Sequence, residues 1–383
     1  MKEPERLRIG IDARLLRYRR GIGNFVQHLL DALARLDTPH EFILYLDSEA
    51  AVPLAPVHPR FTTRVLSPRI YPIWEQLSLP AQVRRDKIHV LHCPANAGPL
   101  QMPASTRLVL TIHDVMYMLP RTTLPASPSL YQRIGRGYLN WVVPRVANKA
   151  AAVTTISEFS RDDISRYVST RAPMTVVYEA PGPAFRVMDA KYAADIVRGL
   201  GVSGPYMVAL GAIDPRKNTA RVIDAFARAL PGLDATPQLV LVGLAPNARA
   251  HFGKQVRALG IESRVLFLGF VTEQELVALY NAAELFVYAS LYEGFGMPML
   301  EAMACGTAVL GSTSASVPEI AGDAALLVDP SDVVALAAAM GRLSNDASAR
   351  DALRARGRIR TQRFTWEQVA RDVMAVYEQV GKA

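Results

Sequence analysis

The sequence has only two cysteines, Cys93 and Cys305, among its 383 residues. They lie far apart, so the chain has neither the dense spacing of a disulfide framework nor the paired spacing of a zinc site. No apolar run approaches the roughly 18 residues that span a membrane. The charged start of the chain also lacks the apolar segment of a signal peptide. These absences predict a soluble protein of a reducing, cytoplasmic compartment.

The charge balance is basic, with 43 Lys and Arg against 35 Asp and Glu and a formal net charge of +8. Such a balance favours anionic partners, which are nucleoside diphosphates, anionic lipid surfaces or nucleic acid. Because the basic residues are scattered and no nucleic-acid-binding motif occurs, we expect no nucleic acid partner. Weak peripheral association with an anionic membrane stays open as a second explanation of the charge, beside solubility alone.

Short apolar runs alternate with helical patterns along almost the whole chain, the order typical of βαβ units around parallel sheets. Half of the residues are apolar, so a chain of this length can bury two cores. The predicted strands are Leu7–Ile11, Phe42–Leu46, Thr63–Leu66, Val90–Leu91, Leu108–Ile112, Val153–Ile156, Thr175–Val177, Tyr206–Leu210, Leu239–Val242, Val265–Leu268, Leu285–Tyr288, Thr307–Leu310 and Ala325–Val328.

The border between two α/β domains is predicted in the segment Glu179–Phe185, whose two prolines and glycine suit a linker and no regular element. The first domain then covers residues 1–183 and the second covers residues 184–365. A last helix over residues 366–383 is marked by Thr365 and Gln368, which match a capping box.

The segment Glu293–Glu301 places one carboxylate in a glycine-rich loop and a second inside a helix that starts near Pro298. The residues before that proline, Gly296 and Met297, offer no side-chain acceptor to the first N–H groups of the helix. Free donors at a positive helix end bind a phosphate-sized anion, and carboxylates on either side accept hydrogen bonds from sugar hydroxyls. The pattern fits a nucleotide-sugar. The alternative is a surface loop followed by a helix with one buried Glu.

The segment Asp214–Asn218 follows a predicted strand and leads into a helix, with Asn218 as the expected N-cap. Arg216 and Lys217 then lie beside the positive end of that helix, which disfavours cations. Either Asp214 alone compensates them, or they clamp a diphosphate and neutralise the departing nucleotide.

Two further sites follow strands of the first half. Gly21 and Gly23 lie between a strand and a helix. They form either a turn in which backbone N–H groups approach a phosphate or sugar, or an ordinary tight turn. His113 and Asp114 close the strand Leu108–Ile112 at its carboxyl end, where open α/β sheets bind ligands. Asp114 either orients His113 or caps the turn that follows.

The segment Leu130–Arg145 mixes aromatic residues with arginines. A helix here would place Tyr138 and Trp141 near one face, with the arginines mostly off that face. It would either pack its aromatic side chains inward or rest on an anionic membrane.

In chain order, these motifs resemble those of the retaining glycosyltransferases of family four. Glu293–Glu301 is similar to the Glu-x7-Glu signature of that family, and Arg216–Asn218 is similar to its Arg-Lys-Asn donor-phosphate motif. The turn at Gly21 resembles its Gly-Gly-Ile-Gly loop, with Arg20 in place of the first glycine. The linker departs further, since Glu179-Ala-Pro-Gly stands where Asn-Gly-Val-Asp is usual.

The resemblance implies a role for each matching residue. Glu293 would hold hydroxyls of the donor sugar and Glu301 the ribose, while His113 would reach the transferred sugar. The residues expected to act in catalysis are His113, Arg216, Lys217 and Glu293. The residues expected to bind the donor are Gly21, Gly23, Gly294, Phe295, Gly296 and Glu301.

The same resemblance implies the GT-B architecture, two Rossmann-like domains facing across a cleft, with the C-terminal helix crossing back to the first domain. It implies a retaining hexosyltransferase that needs no metal and no cofactor. Such an enzyme moves a hexose from a nucleoside diphosphate sugar to a glycan or lipid-linked acceptor.

The pattern looks closest to bacterial mannosyltransferases of surface polysaccharide synthesis. GDP-mannose is therefore the first expected donor, and the expected location is the cytoplasm or the inner face of the cell membrane. A UDP-sugar-dependent transferase of the same fold and an epimerase or phosphorylase stay open. So does a non-catalytic nucleotide-sugar-binding subunit of an assembly complex.

Overall fold

The computed structural model describes residues 6–18, 21–119 and 130–382. The chain divides into two compact units. Unit 1 consists of Met1–Glu179 and Thr365–Ala383, and unit 2 consists of Ala180–Phe364. The borders expected from the sequence, after residue 183 and before residue 366, lie a few residues from this division.

Unit 1 contains a seven-stranded parallel sheet in the order β3-β2-β1-β4-β5-β6-β7. Its strands are β1 Arg8–Asp12, β2 Glu41–Leu46, β3 Phe61–Val65, β4 Val90–Cys93, β5 Arg107–Thr111, β6 Ala152–Thr155 and β7 Met174–Val176. Its first five helices are α1 Ile22–Arg35, α2 Tyr71–Ile73, α3 Leu79–Arg85, α4 Leu130–Ala147 and α5 Glu158–Tyr167. A π-helical turn, Trp74–Ser78, joins α2 to α3, and 3₁₀ turns occur at Arg14–Arg17, Glu49–Leu54 and Met116–Met118.

Unit 2 contains a six-stranded parallel sheet in the order β10-β9-β8-β11-β12-β13. Its strands are β8 Tyr206–Leu210, β9 Gln238–Val242, β10 Val265–Phe267, β11 Leu285–Tyr288, β12 Ala308–Ser312 and β13 Leu326–Val328. Its helices are α6 Ala190–Gly199, α7 Thr219–Ala229, α8 Pro246–Ala258, α9 Glu273–Ala282, α10 Met297–Ala304, α11 Val317–Ala321, α12 Val333–Asn345 and α13 Ala347–Thr361. Turns of 3₁₀ helix occur at Pro215–Lys217, Leu230–Gly232 and Glu262–Arg264.

All of the strands predicted from the sequence are present, within a few residues of their predicted ends. Each sheet carries its own hydrophobic cluster. In unit 1 the cluster includes Trp74, Leu91 and Val143, and in unit 2 it includes Phe226 and Leu241. These side chains are buried because parallel strands are covered on both faces by the helices that connect them. The α/β fold expected from the sequence is confirmed.

The last helix, α14 Trp366–Gly381, belongs to unit 1. It starts at Thr365, whose hydroxyl accepts from the N–H of Gln368 at 3.2 Å. Its buried face includes Val373 and Tyr377, and the Trp366 ring lies 5.8 Å from that of Phe25 in α1. The expected crossing of the C-terminal helix back to the first domain is therefore confirmed.

Within the described ranges, no helix combines the length and the apolar character that crossing a bilayer requires.

Truncating a buried side chain of α14 should destabilise unit 1 alone. Met374→Ala removes a buried side chain and should lower the free energy of unfolding by about 2–5 kcal/mol. Trp74, Trp141 and Trp366 are all in unit 1, so tryptophan fluorescence during denaturation reports on that unit. The exposed Glu367→Ala serves as the control and should change the free energy by less than about 0.5 kcal/mol. An unchanged fluorescence transition in Met374→Ala would contradict the assignment of α14 to unit 1.

Candidate active site

The order of strands in unit 2 reverses between β8 and β11, which are neighbours in the sheet. In open α/β sheets, ligands bind beyond the carboxyl ends of the strands at such a point. The segment Asp214–Asn218 follows β8, and Glu293 follows β11. The backbone N–H of Leu291 donates to the Arg216 carbonyl at 2.7 Å, so the two loops are in direct contact. The two motifs of the second half thus meet at the ligand-binding edge of the sheet.

Lys217 and Glu293 form an ion pair across these two loops. The Lys217 Nζ donates to Glu293 Oε1 at 2.6 Å, and the two side chains are 28% and 14% exposed. The hydroxyl of Ser316 donates to the Glu293 carbonyl at 2.9 Å and fixes that loop. Burial, together with the charge of Glu293, raises the pKa of the neighbouring Tyr288 well above its ordinary value. The pair is partly open to solvent, so a ligand can reach both charges.

Arg216 is held by Asp214. The Asp214 Oδ1 accepts from the Arg216 backbone N–H at 3.0 Å and from its Nε at 3.1 Å, and the other carboxylate oxygen contacts Nη2. Both side chains are partly exposed. Compensation by Asp214, one of the two explanations open from the sequence, is thus found at Arg216, whereas Lys217 is compensated by Glu293.

The expectation that Asn218 caps helix α7 is wrong. Asn218 directly precedes α7, but it has a left-handed backbone with φ of 58°, and its side chain accepts no backbone N–H of the helix. Its Oδ1 accepts from the Arg221 side chain at 2.9 Å. Its Nδ2 instead donates to the carbonyls of Ala289 at 3.0 Å and Pro330 at 2.6 Å. An amide has two donor hydrogens, and two buried carbonyls take them here. Asn218 therefore ties the loop after β8 to two other loops.

Helix α10 starts at Gly296, which has φ of +102° and provides no side-chain cap. The absence of a capping side chain at this helix start, expected from the sequence, is confirmed. Glu301 lies in the second turn of α10, near the Cys305 thiol and the Tyr280 hydroxyl. Burial, and then the charge of Glu301, raises the pKa of Cys305 to about 12 and that of Tyr280 well above its ordinary value.

Phe295 lies in the glycine-rich loop between Gly294 and Gly296, and its ring is buried. The ring meets that of Phe364 edge-on at 5.8 Å, with only 3% of Phe295 exposed. The side chain therefore anchors the loop in the core of unit 2. The donor-binding roles of these three residues and of Glu301 stay predictions.

In unit 1, glycine is required for different reasons just before α1 and in the first turn of that helix. Gly21 precedes the helix with φ of +50° and offers no side-chain cap. A Cβ on Gly23 would lie 1.7 Å from the backbone carbonyl oxygen of Tyr18, so no side chain fits there. The close approach of the Tyr18 carbonyl is a structural reason for Gly23 that the sequence did not indicate. Arg20, which the sequence comparison singled out, lies outside the described residues.

His113 lies just past the carboxyl end of β5, and its ring is almost completely buried. Its Nδ1 is 3.1 Å from Glu179 Oε1, and its Nε2 is 2.9 Å from the Pro94 carbonyl oxygen. The Phe25 ring, in the first turn of α1, meets the His113 ring at nearly a right angle, with centroids 4.9 Å apart. His113 and the turn that contains Gly21 therefore meet on the same edge of unit 1.

Asp114 and Glu179 divide the two roles that the sequence left open for Asp114. The Asp114 Oδ1 accepts from the Met116 N–H at 3.0 Å and so caps the turn that follows. Glu179 binds the His113 ring. Sequence reasoning missed this function of Glu179, although it did single out the residue as a departure from the usual linker. A lone carboxylate in an apolar segment was the available signal.

In the described part of the chain, no group of three or more His, Cys, Asp and Glu residues is arranged to hold a metal ion. The expected independence from metal stays a prediction.

Each half of the chain matches a family model of glycosyltransferases. A family model described as Glycosyltransferase Family 4 matches residues 19–180, and one described as Glycosyl transferases group 1 matches residues 197–360. O-antigen chain mannosyltransferase B of Escherichia coli is 30% identical over 306 residues, which cover 77% of this chain and 76% of that protein. The MMP alpha-(1->4)-mannosyltransferase of Mycolicibacterium hassiacum is 36% identical over 178 residues, which cover 45% of this chain and 43% of that protein.

Solved structures with the same fold cover nearly the whole chain. Sucrose-phosphate synthase from Thermosynechococcus elongatus matches with a TM-score of 0.75 and 22% identity, over 98% of this chain and 99% of that one. HepE of Anabaena, in complex with UDP and glucose, matches with a TM-score of 0.72 and 19% identity, over 97% and 100% of the two chains. At these identities the likeness concerns the fold, which is GT-B.

Removing the buried amide of Asn218 should loosen unit 2. Asn218→Gly keeps the left-handed backbone at little cost but leaves two buried carbonyls unpaired, so we expect a loss of about 1–3 kcal/mol. Asn218→Ala should lose roughly 1–2 kcal/mol more, because alanine resists a positive φ. The measurement is denaturation followed by circular dichroism, which reports on both units, beside tryptophan fluorescence, which reports on unit 1.

The exposed Asn247→Ala is the control and should leave both transitions in place. If Asn218→Gly behaved like this control, the three-loop tie would contribute nothing measurable to unit 2.

Proposed function

Since this chain belongs to the glycosyltransferases of family four, we propose that it is a retaining hexosyltransferase that uses a nucleoside diphosphate sugar. The acceptor is a hydroxyl of a glycan or of a lipid-linked sugar. The observation that carries this proposal is the contact between Lys217 and Glu293 at the switch point of unit 2, beside the uncapped start of α10.

The pair supplies both kinds of group that a nucleotide-sugar needs. When the donor binds, the Lys217 ammonium neutralises the diphosphate, and the Glu293 carboxylate accepts hydrogen bonds from hexose hydroxyls. The N–H groups at the start of α10 add the positive end of the helix to the phosphate site. Glu301, one turn further along α10, accepts from the ribose hydroxyls. Along the loop and helix, Glu293, the start of α10 and Glu301 thus follow one another in the same order as the hexose, the phosphates and the ribose of the donor.

Catalysis in this proposal relies on position and charge. The bond from the anomeric carbon to the diphosphate breaks while the acceptor oxygen attacks from the same face, and the departing phosphate oxygen takes the acceptor proton. Lys217 and Arg216 stabilise the negative charge that develops on the diphosphate. Because these two cations provide that stabilisation, we propose that the reaction proceeds without a metal ion.

We propose mannose as the transferred sugar, GDP-mannose as the donor and surface polysaccharide as the product. Two relatives support this, since one is named as an O-antigen chain mannosyltransferase and the other as a mannosyltransferase. A UDP-sugar as donor is the main alternative.

Donor binding and turnover test the proposal directly. Saturation-transfer NMR against GDP-mannose and UDP-, dTDP- and ADP-sugars should show selective binding of GDP-mannose. Lys217→Ala should lower kcat roughly 10²–10³-fold, the usual loss when one group that stabilises transition-state charge is removed. Glu293→Gln keeps the shape of the side chain but removes its charge, and it should weaken donor binding. Lys254→Ala, an exposed lysine of α8, is the control and should be as active as the wild type.

Three outcomes would decide against parts of this proposal. Binding of a UDP-sugar alone would replace the donor, and inversion at the anomeric carbon of the product would exclude retention. Failure to bind any donor, with or without magnesium, would favour a non-catalytic subunit.

We also propose that unit 1 associates peripherally with an anionic membrane. In α4, Ile134 is 64% and Trp141 48% exposed, and in the adjoining π-helical turn Leu77 is 65% exposed. The two elements are joined where Gln76 Nε2 donates to the Tyr138 hydroxyl at 2.9 Å. Tyr138 thus packs inward, as expected if the aromatic side chains of this helix face the core. The exposed Ile134 and Trp141 instead fit a helix that rests on an anionic membrane.

The charged residues in the segments around this patch are basic, except for Glu75, whose side chain is buried. No Asp or Glu occurs between residues 115 and 157 or between residues 50 and 74. Arg145 lies over the Trp141 ring, 4.9 Å from its centroid, and Arg133 is exposed one position before Ile134. Apolar side chains rimmed by arginines suit a surface of anionic lipid.

Vesicle flotation tests this association. The protein should bind phosphatidylglycerol vesicles and not neutral phosphatidylcholine vesicles, and high salt should release it because charge attraction is screened. Substituting Ile134 and Trp141 by Ser together should weaken binding roughly tenfold through lost apolar burial. Ile359→Ser, an equally exposed residue of unit 2, should not. Equal binding by both variants would rule out this patch as the contact surface.

A further inference from the structure

Two buried histidines of unit 1 differ in what surrounds their rings. His92 lies in β4 and is 0% exposed, and His113 lies just past β5 and is 5% exposed. Every ring nitrogen of this pair has a partner within hydrogen-bonding distance. The chemical nature of those partners determines how many protons each ring carries.

The ring of His92 lies between two hydroxyls. Its Nδ1 is 2.6 Å from the Tyr377 hydroxyl, and its Nε2 is 2.6 Å from the Thr111 hydroxyl. A hydroxyl can donate or accept, so a neutral imidazole, with one N–H and one bare nitrogen, satisfies both contacts. Burial, and then the positive charge of His113, lowers the pKa of His92 to about 3. His92 is therefore neutral at physiological pH.

The ring of His113 lies between two acceptors, the Glu179 carboxylate and the Pro94 carbonyl. An ionised carboxylate and a carbonyl oxygen can only accept, so both ring nitrogens must carry a proton for both bonds to form. Only the imidazolium form has two N–H groups. We infer that Glu179 is a positioning residue that holds His113 as a doubly protonated cation in a fixed orientation.

The other groups that face His113 agree with this assignment. Asp114 adds a second negative charge, and the Phe25 ring packs against the imidazole. The Asn96 Oδ1 accepts from the His113 backbone N–H at 2.7 Å. Burial, the largest single effect, lowers the pKa of His113. The hydrogen bond and charge of Glu179, with the Pro94 carbonyl and Asp114, outweigh it and raise the pKa above its ordinary value.

Glu179 is also the last residue of the first segment of unit 1, and Ala180 opens unit 2. The ion pair therefore fixes the chain at the point where it leaves unit 1. A His113 that loses one proton can satisfy only one of its two acceptors, which releases either Glu179 or the loop after β4. The effect on activity rests on the proposed function, because it supposes that His113 reaches the donor sugar. The protonation state does not depend on it.

Nuclear magnetic resonance of histidine-labelled full-length protein tests the protonation state without substrate. At pH 7 the wild type should show two protonated nitrogens on His113 and a neutral His92, with the signals assigned by single substitution. Glu179→Gln should lower the pKa of His113, Glu179→Asp should keep it raised, and Glu158→Gln, an exposed carboxylate of the same unit, should not change it. A neutral His113 in the wild type, or an unchanged titration in Glu179→Gln, would overturn the inference.

Stability gives a second readout with a defined sign. Because folding raises the pKa of His113, its contribution is fully present below the unfolded pKa of about 6.5 and is lost as the pH rises through the folded value. In the wild type, the free energy of unfolding measured by tryptophan fluorescence should therefore fall as the pH is raised from acidic to alkaline values. This decrease in the free energy of unfolding should be much smaller in Glu179→Gln. If the free energy of unfolding of Glu179→Gln depended on pH as strongly as that of the wild type, the ion pair would be contradicted.

Kinetics separate this inference from the proposed function. Glu179→Gln should raise the donor KM roughly tenfold, the order expected when a charge-assisted hydrogen bond becomes a neutral one, with a smaller change in kcat. Glu179→Asp, which keeps the charge, should have a donor KM close to that of the wild type. An inactive wild type would refute the proposed function and leave the NMR result standing. An active enzyme with a neutral His113 would refute the inference alone. A Glu179→Gln variant with the pH profile and donor KM of the wild type would refute the coupling to activity.

Discussion

The burial of both sheets on both of their faces decides where polar chemistry can lie in this protein. Successive residues of β4 and of β11 are all buried, and since alternate side chains of a strand point to opposite faces, both faces are covered. A charged group inside such a strand would lack water and, usually, a partner. The functional side chains therefore follow the strands, past their carboxyl ends. Where the strand order reverses, the loops after β8 and β11 meet and bring a cation and a carboxylate together.

The charges at these edges are paired, and their exposure separates two kinds of pair. Lys217 and Glu293 keep 28% and 14% of their side chains exposed. Because both groups keep some contact with water, each can lose its partner at a smaller cost than in a fully buried pair, so a ligand with phosphates and hydroxyls can take the partner's place. His113 and Glu179 are only 6% and 11% exposed. Breaking a buried pair costs about 3–5 kcal/mol, because one charge stays buried without compensation. The first pair is suited to exchange partners with a substrate, and the second is suited to hold a geometry.

The sequence predicted the architecture well, because buried parallel strands are read directly from short apolar runs between helical patterns. It also predicted that residues of separate motifs act together, and Lys217 and Glu293 do meet. It did not predict the partners of individual side chains. Asn218 matched an N-cap by position, yet its amide is taken by carbonyls of Ala289 and Pro330, which are distant in sequence. The contact of Glu179 with His113 depends in the same way on tertiary packing, and no local pattern encodes it.

Helix starts near the candidate site lack the side-chain caps that several other helices have. Helices α5, α9 and α14 begin at Ser157, Thr272 and Thr365, and each of these side chains accepts a hydrogen bond from the first turn. Helices α1 and α10 begin instead at Gly21 and Gly296, which have no side chain to offer. Glycine in place of such a cap costs only a few tenths of a kcal/mol. An anion at the end of a helix gains about 0.3–1 kcal/mol from the helix dipole alone. The missing caps therefore cost the fold little, and a phosphate that takes their place more than offsets that cost.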